Sequence, residues 1–143
     1  PIIDNIYLGN ACDASYYYRL KNNNITDIIN VTEEIPNYFK DDFNYYNIKI
    51  NDDNMNSFDN QIFNDALSYI YKIQDDNKIN NTNNNILIHC YMGSSRSATI
   101  VILYLMQKHN LTLEKAIHFI KQKRDIININ TTFLDNLRNF KKI

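Results

Sequence analysis

The chain has 143 residues, of which 44% are hydrophobic and 22% charged, and its formal net charge is −1. This length suits one domain, predicted to span residues 1–143, and the near-neutral charge offers no bulk attraction to nucleic acid or anionic lipid. The longest strongly apolar stretch, Ala98 to Met106, is far shorter than the ~20 residues that cross a bilayer, so no membrane association is expected. Two cysteines, Cys12 and Cys90, cannot build a disulfide framework, which favours a reducing, intracellular setting, cytoplasmic or nuclear.

Strand-like and helix-like segments alternate along the chain, as judged by the period of their apolar residues. The predicted strands are Ile2–Leu8, Ile25–Val31, Tyr45–Asn51 and Ile86–His89, and the predicted helices are Asp13–Lys21, Gln61–Gln74, Ser97–His109, Leu113–Ile120 and Thr131–Phe140. This alternation predicts an α/β fold with a single, mostly parallel central sheet flanked by helices.

Two segments have unusual composition. The helix Ser97–His109 is apolar around its whole circumference, which predicts a central, buried helix. The segment Asn80–Asn85 is polar and of low complexity, and we expect it to form a mobile surface loop because it has no apolar group to bury.

The loop between the strand Ile86–His89 and the buried helix reads Cys-Tyr-Met-Gly-Ser-Ser-Arg, and we refer to it as the 90–96 loop. A loop that leads from a parallel strand into a helix aims backbone N–H groups and the helix dipole at one point, which favours a phosphate ligand. Gly93 permits the chain to wrap, and the planar fork of Arg96 matches two phosphate oxygens. The same donors favour a thiolate at Cys90, placed for in-line attack on phosphorus. The predicted phosphate-binding residues are Tyr91, Met92, Gly93, Ser94 and Ser95, and the alternative is that Cys90 is a small hydrophobe in the core.

The run His-Cys-x5-Arg-Ser, followed by Ala-Thr and an apolar helix, resembles the signature of the dual-specificity protein phosphatases, within the cysteine-dependent protein tyrosine phosphatase superfamily. Weaker matches fall in the same order along the chain, at Ile6–Asn10, Ile25–Thr32, Leu113–Ala116 and Phe133–Leu137. The resemblance implies a protein tyrosine phosphatase-like fold. It also implies hydrolysis of phosphotyrosine and phosphoserine or phosphothreonine in proteins through a cysteinyl-phosphate. No cofactor is expected, and the two distant cysteines and the lack of a His/Cys cluster at ligand spacing predict no metal site.

The resemblance also implies roles for residues around the loop. An aspartate should protonate the leaving oxygen, and Asp52 matches that position, with Asp53 as the second choice. The alternative is that both are solvated turn residues. Ser97 is expected to stabilise the leaving thiolate, and His89 and Asn130 to brace the loop from behind.

Rival functions remain open at this point. A phosphoinositide phosphatase is disfavoured because the interior of the 90–96 loop carries no cation, and an RNA triphosphatase because the chain is nearly neutral. A catalytically inactive phosphate-binding module should have lost Cys90, Arg96 or the acid, and all three are present. Cys12 is expected to be a packing residue. The expected partners are phosphoproteins, and the sequence leaves the oligomeric state open.

Overall fold

The computed structural model describes residues 1–141, so the last two residues of the predicted 1–143 domain lie outside the described residues. The strands are β1 (Ile6–Gly9), β2 (Ile25–Asn30), β3 (Asn44–Asn47) and β4 (Asn85–His89), and the helices are α1 (Ala11–Ala14), α2 (Tyr17–Asn22), α3 (Asn60–Asn80), α4 (Arg96–Lys108), α5 (Leu113–Lys123) and α6 (Thr131–Arg138). The strands form one sheet in the order β1-β4-β2-β3, and every pairing is parallel. The predicted α/β class with a parallel sheet is confirmed.

Strand β4 lies at the centre of this sheet. Its residue Ile88 pairs with Leu8 of β1 on one side and with Ile29 of β2 on the other. A strand covered on both faces is stable only if both sets of side chains are apolar, which the run Ile86–Ile88 provides. Because all strands run the same way, the loops that follow β2, β3 and β4 emerge at one edge of the sheet.

Helix α4 forms the centre of the hydrophobic core. All residues from Arg96 to Leu105 are buried, and the exposure of Ile100, Val101, Ile102 and Leu103 is 0%. Complete burial of each such side chain is worth roughly 1.5–3 kcal/mol, so this helix fixes the position of its own N-terminus firmly against the sheet. The prediction of a central helix is confirmed.

Several predicted boundaries differ from the structure. The first strand begins only at Ile6, because Asp4 adopts the left-handed conformation (φ 51°) and turns the chain before it. The predicted helix Asp13–Lys21 is two short helices, α1 and α2, with Ser15 as the C-cap of the first. Helix α3 continues past the predicted end at Gln74 to Asn80, and in this extension the Asn77 side chain bonds to Asn84, just before β4.

The Asn-rich segment is also more structured than predicted. Asn80 ends α3, Asn85 begins β4, and Asn81 caps the helix in the left-handed conformation (φ 52°). Asn77 accepts hydrogen bonds from the Thr82 hydroxyl at 2.9 Å and from the Asn84 backbone at 3.0 Å. Only residues 81–84 form a loop, and local amide bonds hold it.

The prediction for Cys12 was wrong. Its side chain is exposed on the four-residue helix α1, where the buried residue is Ala14. Within the described residues, no helix has the length and apolarity needed to span a membrane.

Candidate active site

Cys90 lies directly after the central strand β4, and its side chain is buried (2% exposed). The sulfur is 3.1 Å from the Ser97 hydroxyl oxygen, and the Gly93 backbone N–H donates to it at 3.3 Å. A sulfur with two polar partners is not packed as a plain hydrophobe. Both the Ser97 hydroxyl and the Gly93 N–H can donate a hydrogen bond to the sulfur.

The turn of the 90–96 loop depends on Gly93, whose φ is +71°. A Cβ at this position would come within 2.7 Å of the Gly9 carbonyl oxygen and 2.5 Å of an Arg124 side-chain nitrogen. The two glycines of the chain therefore lie against each other, and the end of β1 forms the floor beneath the loop. The Tyr91 carbonyl is held from the same side, by the Ala11 N–H at 3.0 Å.

Arg96 is the first residue of α4, and its side chain is only 5% exposed. The guanidinium makes a two-point ion pair with Glu34, with Nη1 and Nη2 donating to the two carboxylate oxygens at 2.9 and 2.7 Å. Nη1 also donates to the Ile50 carbonyl oxygen at 2.8 Å. Burial by itself lowers the pKa of Arg96, but the bonds to Glu34 and the nearby charges of Cys90 and Asp52 outweigh it and raise that pKa.

The outer side of the loop is held by the segment between α5 and α6. Arg124 donates from Nε to the Gly93 carbonyl oxygen at 2.9 Å and from Nη2 to that of Met92 at 3.2 Å. The Asn128 N–H donates to the Ser94 carbonyl oxygen at 2.9 Å. Because these carbonyls are bonded on the outer side, the backbone N–H groups of the loop can face inward, as the Gly93 N–H does toward Cys90.

Asp52 and Asp53 occupy the exposed segment that follows β3. Asp52 accepts a hydrogen bond at 2.8 Å from the side-chain amide of Asn130. Asp53 instead accepts from the N–H groups of Met55 and Asn56 and from the Asn56 side chain. These bonds, with that of the Asn56 side chain the largest effect, lower the pKa of Asp53. The charge of Asp52 is also close enough to Arg96 to affect the pKa of that residue, whereas the carboxylate of Asp53 is bonded within its own loop.

Asn130 joins the two halves of the site. Its backbone N–H donates to the Ser95 hydroxyl at 3.2 Å, while its side-chain amide reaches Asp52. Its side-chain oxygen accepts from the Phe133 N–H and caps helix α6. One residue therefore links the 90–96 loop through its backbone, and the Asp52 segment and α6 through its side chain.

The other predicted residues take different positions around the loop. Tyr91 and Met92 are 59% and 60% exposed and lie at the rim. The Ser95 side chain is buried against Asn130 and does not face outward, whereas Ser94 is half-buried. The His89 ring is buried, its Nδ1 lies 3.3 Å from the Cys90 carbonyl oxygen, and burial lowers the pKa of His89. A neutral imidazole in this place braces the backbone.

Two residues at this site were not predicted from the sequence. Glu34 lies in the turn after β2 and gives no signal of its own, because acidic residues are common in polar turns. Arg124 lies against the loop only in space, at 31 positions from Gly93. Its one sequence signal is its place six residues before Asn130. In residues 1–141, no group of His, Cys, Asp and Glu is arranged to hold a metal ion.

Known proteins resemble this chain over nearly its whole length. Dual specificity phosphatase, catalytic domain, is the family that matches residues 6–143. Human Protein phosphatase Slingshot homolog 1 is 37% identical over 142 residues, which are 99% of this chain and 13% of that protein. Human Dual specificity protein phosphatase 1 is 36% identical over 139 residues, which are 97% of this chain and 36% of that protein. The chain thus spans a minor part of the length of these relatives.

A solved structure points to the same family. The crystal structure of DUSP15 superposes with a TM-score of 0.84 at 31% identity, and the match covers 96% of this chain and 83% of that one. The fold is therefore the protein tyrosine phosphatase-like fold that the sequence resemblance implied. Fold, loop and sequence agree, and the chain belongs to the family of dual-specificity phosphatase catalytic domains.

Proposed function

We propose that this domain hydrolyses the phosphate monoesters phosphotyrosine, phosphoserine and phosphothreonine in proteins, through a cysteinyl-phosphate intermediate. The observation that carries the proposal is the environment of Cys90, whose buried sulfur lies 3.1 Å from the Ser97 hydroxyl and 3.3 Å from the Gly93 nitrogen. A nucleophilic sulfur at the base of a loop of N–H donors suits attack on a bound phosphate.

In the first step, the Cys90 sulfur attacks phosphorus and the bond from phosphorus to the ester oxygen breaks. Asp52 gives its proton to the leaving oxygen, because a naked phenolate or alkoxide is a poor leaving group. Arg96 and the N–H groups of the loop stabilise the charge on the equatorial phosphate oxygens.

In the second step, water attacks the cysteinyl-phosphate. Asp52, now a carboxylate, takes a proton from that water, and the bond between phosphorus and sulfur breaks. The Ser97 hydroxyl donates to the departing sulfur and so stabilises the thiolate that is regenerated. Inorganic phosphate leaves, and Cys90 and Asp52 return to their first states.

The proposed substrates are phosphoproteins rather than phosphoinositides. Within the 90–96 loop the cation is Arg96 itself, and it is held by Glu34, while the rim residues Tyr91 and Met92 are neutral and exposed. Arg124 lies beside this rim, but it already donates to the Gly93 and Met92 carbonyl oxygens, whereas a multiply phosphorylated inositol ring would need cations available to its phosphates. The proposal includes a reducing, intracellular location, because a thiolate nucleophile is lost on oxidation.

The test is hydrolysis of p-nitrophenyl phosphate and of a phosphotyrosine and a phosphothreonine peptide by the wild-type chain and by Cys90→Ser. We expect turnover on all three by wild type and a loss of roughly 10⁴-fold or more in Cys90→Ser. Cys12→Ser is the matched control, since Cys12 is exposed on α1, and it should retain wild-type turnover. Absence of turnover in wild type, with retained phosphate binding, would instead support a catalytically inactive binding module.

A further inference from the structure

Exposed apolar side chains collect around the candidate active site. Residues 1–141 contain eight exposed large hydrophobic side chains, and four of them lie in the 90–96 loop or in segments bonded to its neighbours. We call these four the apolar rim: Met55, Tyr91, Met92 and Ile126, with exposures of 94%, 59%, 60% and 49%. Single exposed apolar residues are ordinary on a protein surface, whereas a group of them marks an interaction site. The proposed chemistry gives these four side chains no role.

The segment that carries Ile126 is bonded along the 90–96 loop. Arg124, two residues before Ile126, donates to the Met92 carbonyl oxygen at 3.2 Å. Asn128, two residues after it, donates from its backbone N–H to the Ser94 carbonyl oxygen at 2.9 Å. Ile126 and Met92 therefore belong to adjoining segments that bond to each other through their backbones.

The segment that carries Met55 is bonded on the side of the proposed acid. The Met55 N–H donates to the Asp53 carboxylate at 2.9 Å, and the Thr132 hydroxyl donates to the Asn54 carbonyl oxygen at 3.1 Å. The Asn130 side-chain amide also lies 3.3 Å from the Asp53 carbonyl oxygen. These bonds oppose a rearrangement that would bury Met55, so its side chain stays available to a partner.

The charges of these segments disfavour an acidic partner. Residues 51–56, 91–95 and 125–130 contain no lysine, arginine or histidine, but they contain Asp52, Asp53 and Asp125. The nearby Arg124 already donates to two carbonyl oxygens of the loop. A peptide with acidic residues beside its phosphoresidue would therefore meet like charges here. A peptide with basic residues would gain little, because exposed ion pairs contribute weakly.

We infer that the apolar rim contacts the substrate residues next to the phosphoresidue and selects phosphopeptides in which those residues are large and apolar. This inference rests on the proposed function. A leucine or phenylalanine beside the phosphoresidue would remove apolar surface of both partners from water. Methionine suits such a surface, because its unbranched thioether side chain adapts to partners of different shape.

The first experiment compares three phosphotyrosine peptides of equal length, with Leu, Glu or Lys directly before and after the phosphotyrosine. The measurements are kcat/KM with the wild-type chain and affinity for Cys90→Ser by fluorescence anisotropy. From the apolar area that two flanking leucines bring, we expect the Leu peptide to exceed the Glu peptide roughly 10- to 100-fold in both. It should exceed the Lys peptide roughly 3- to 10-fold.

The second experiment removes part of the apolar rim. Met55→Gln combined with Ile126→Gln keeps side chains of similar size but makes them polar, and should lower kcat/KM on the Leu peptide roughly 5- to 20-fold. Hydrolysis of p-nitrophenyl phosphate, which has no flanking residues, should change less than about 2-fold. Ile79→Gln is the matched control, since Ile79 is 79% exposed in the last turn of α3, at the amino end of the sheet. It should leave both rates unchanged.

Three results would overturn the inference. They are equal affinity of Cys90→Ser for the Leu and Glu peptides, a preference for the Lys peptide, and equal losses of the double variant on the Leu peptide and on p-nitrophenyl phosphate. Failure of the proposed function looks different. In that case the wild-type chain would hydrolyse none of the esters, while the anisotropy measurement would still rank the three peptides.

Discussion

The two ends of the sheet use polar residues in opposite ways. At the amino end, a cavity of ≈ 590 Å³ is lined by amides and charged groups that bond mainly to one another. There the Asp4 carboxylate accepts from the Tyr104 hydroxyl and, at 2.8 Å, from His109. At the carboxyl end, neighbouring residues bond to part of a functional side chain and leave its other donors unused. In Arg96, for example, Glu34 and the Ile50 carbonyl bond to Nη1 and Nη2, and among the described residues the Nε–H has no acceptor.

The difference lies in how far each cluster has used its own donors and acceptors. The cluster at the amino end is satisfied internally, apart from the buried Gln74 side-chain oxygen, which has no partner among the described residues. A cluster that has used its donors and acceptors has little left with which to bind a ligand. At the carboxyl end, in contrast, Glu34, Arg124 and Asn130 donate to or accept from other residues of the candidate site.

The comparison can be tested by an Asp→Asn substitution at each end of the sheet. At the carboxyl end we expect the largest loss of activity among the variants considered below. Asp52→Asn removes the proposed proton donor and should lower kcat on phenyl phosphate roughly 10²- to 10⁴-fold, with a smaller loss on p-nitrophenyl phosphate, whose leaving group needs less help. Asp4→Asn should keep kcat within about 2-fold and lower the melting temperature, because the bonds to Tyr104 and His109 weaken. The measurements are steady-state rates on both esters and thermal unfolding.

Asp53→Asn serves as the internal control at the carboxyl end. Its carboxylate accepts three bonds within its own loop, so its loss should affect the order of that loop more than proton transfer. A larger loss in Asp53→Asn than in Asp52→Asn, concentrated on the poor leaving group, would reassign the acid.

A smaller effect is expected when the link between the 90–96 loop and the acid is cut. Asn130→Ser keeps an oxygen that can cap α6 through the Phe133 N–H, but it is too short to donate to Asp52. We expect kcat to fall about 3- to 10-fold, as for loss of one hydrogen bond, with stability unchanged within about 0.5 kcal/mol. Asn130→Ala should lose activity to the same extent and also about 1 kcal/mol of stability. Chemical denaturation and kcat together separate the two roles, and equal kcat in wild type and Asn130→Ser would show that the link is not used.

The smallest effect on activity is expected at the amino end, in the Asn-rich segment. Asn81 has φ of 52° at the C-cap of α3, so Asn81→Ala should cost roughly 1–2 kcal/mol, while Asn81→Gly should be near neutral. Both variants should keep wild-type kcat/KM. Urea unfolding and turnover check this, and a loss of turnover in either variant would mean that the two ends are coupled.

Much of the fold could be predicted because the patterns are local. The continuous apolar run of β4 and the all-round apolar surface of α4 specify a buried strand and a central helix without reference to other residues. The N-cap of α5 is similarly local, since Thr112 accepts from the Lys115 N–H. Boundaries were missed near Asp4 and Asn81, which adopt the left-handed backbone conformation, because the sequence does not show which aspartate or asparagine will turn the chain.

The sequence by itself determined the 90–96 loop, since Cys90, Gly93, Arg96 and Ser97 are close along the chain and act within one strand-to-helix junction. Only the tertiary structure decided which distant groups hold that loop. Glu34 lies 62 positions from Arg96, and Asn130 lies 78 positions from Asp52. Such pairs have no sequence period, because they form only where the fold brings separate loops together at the carboxyl edge of the parallel sheet. The reacting groups are therefore encoded locally, and their orientation is encoded by the topology.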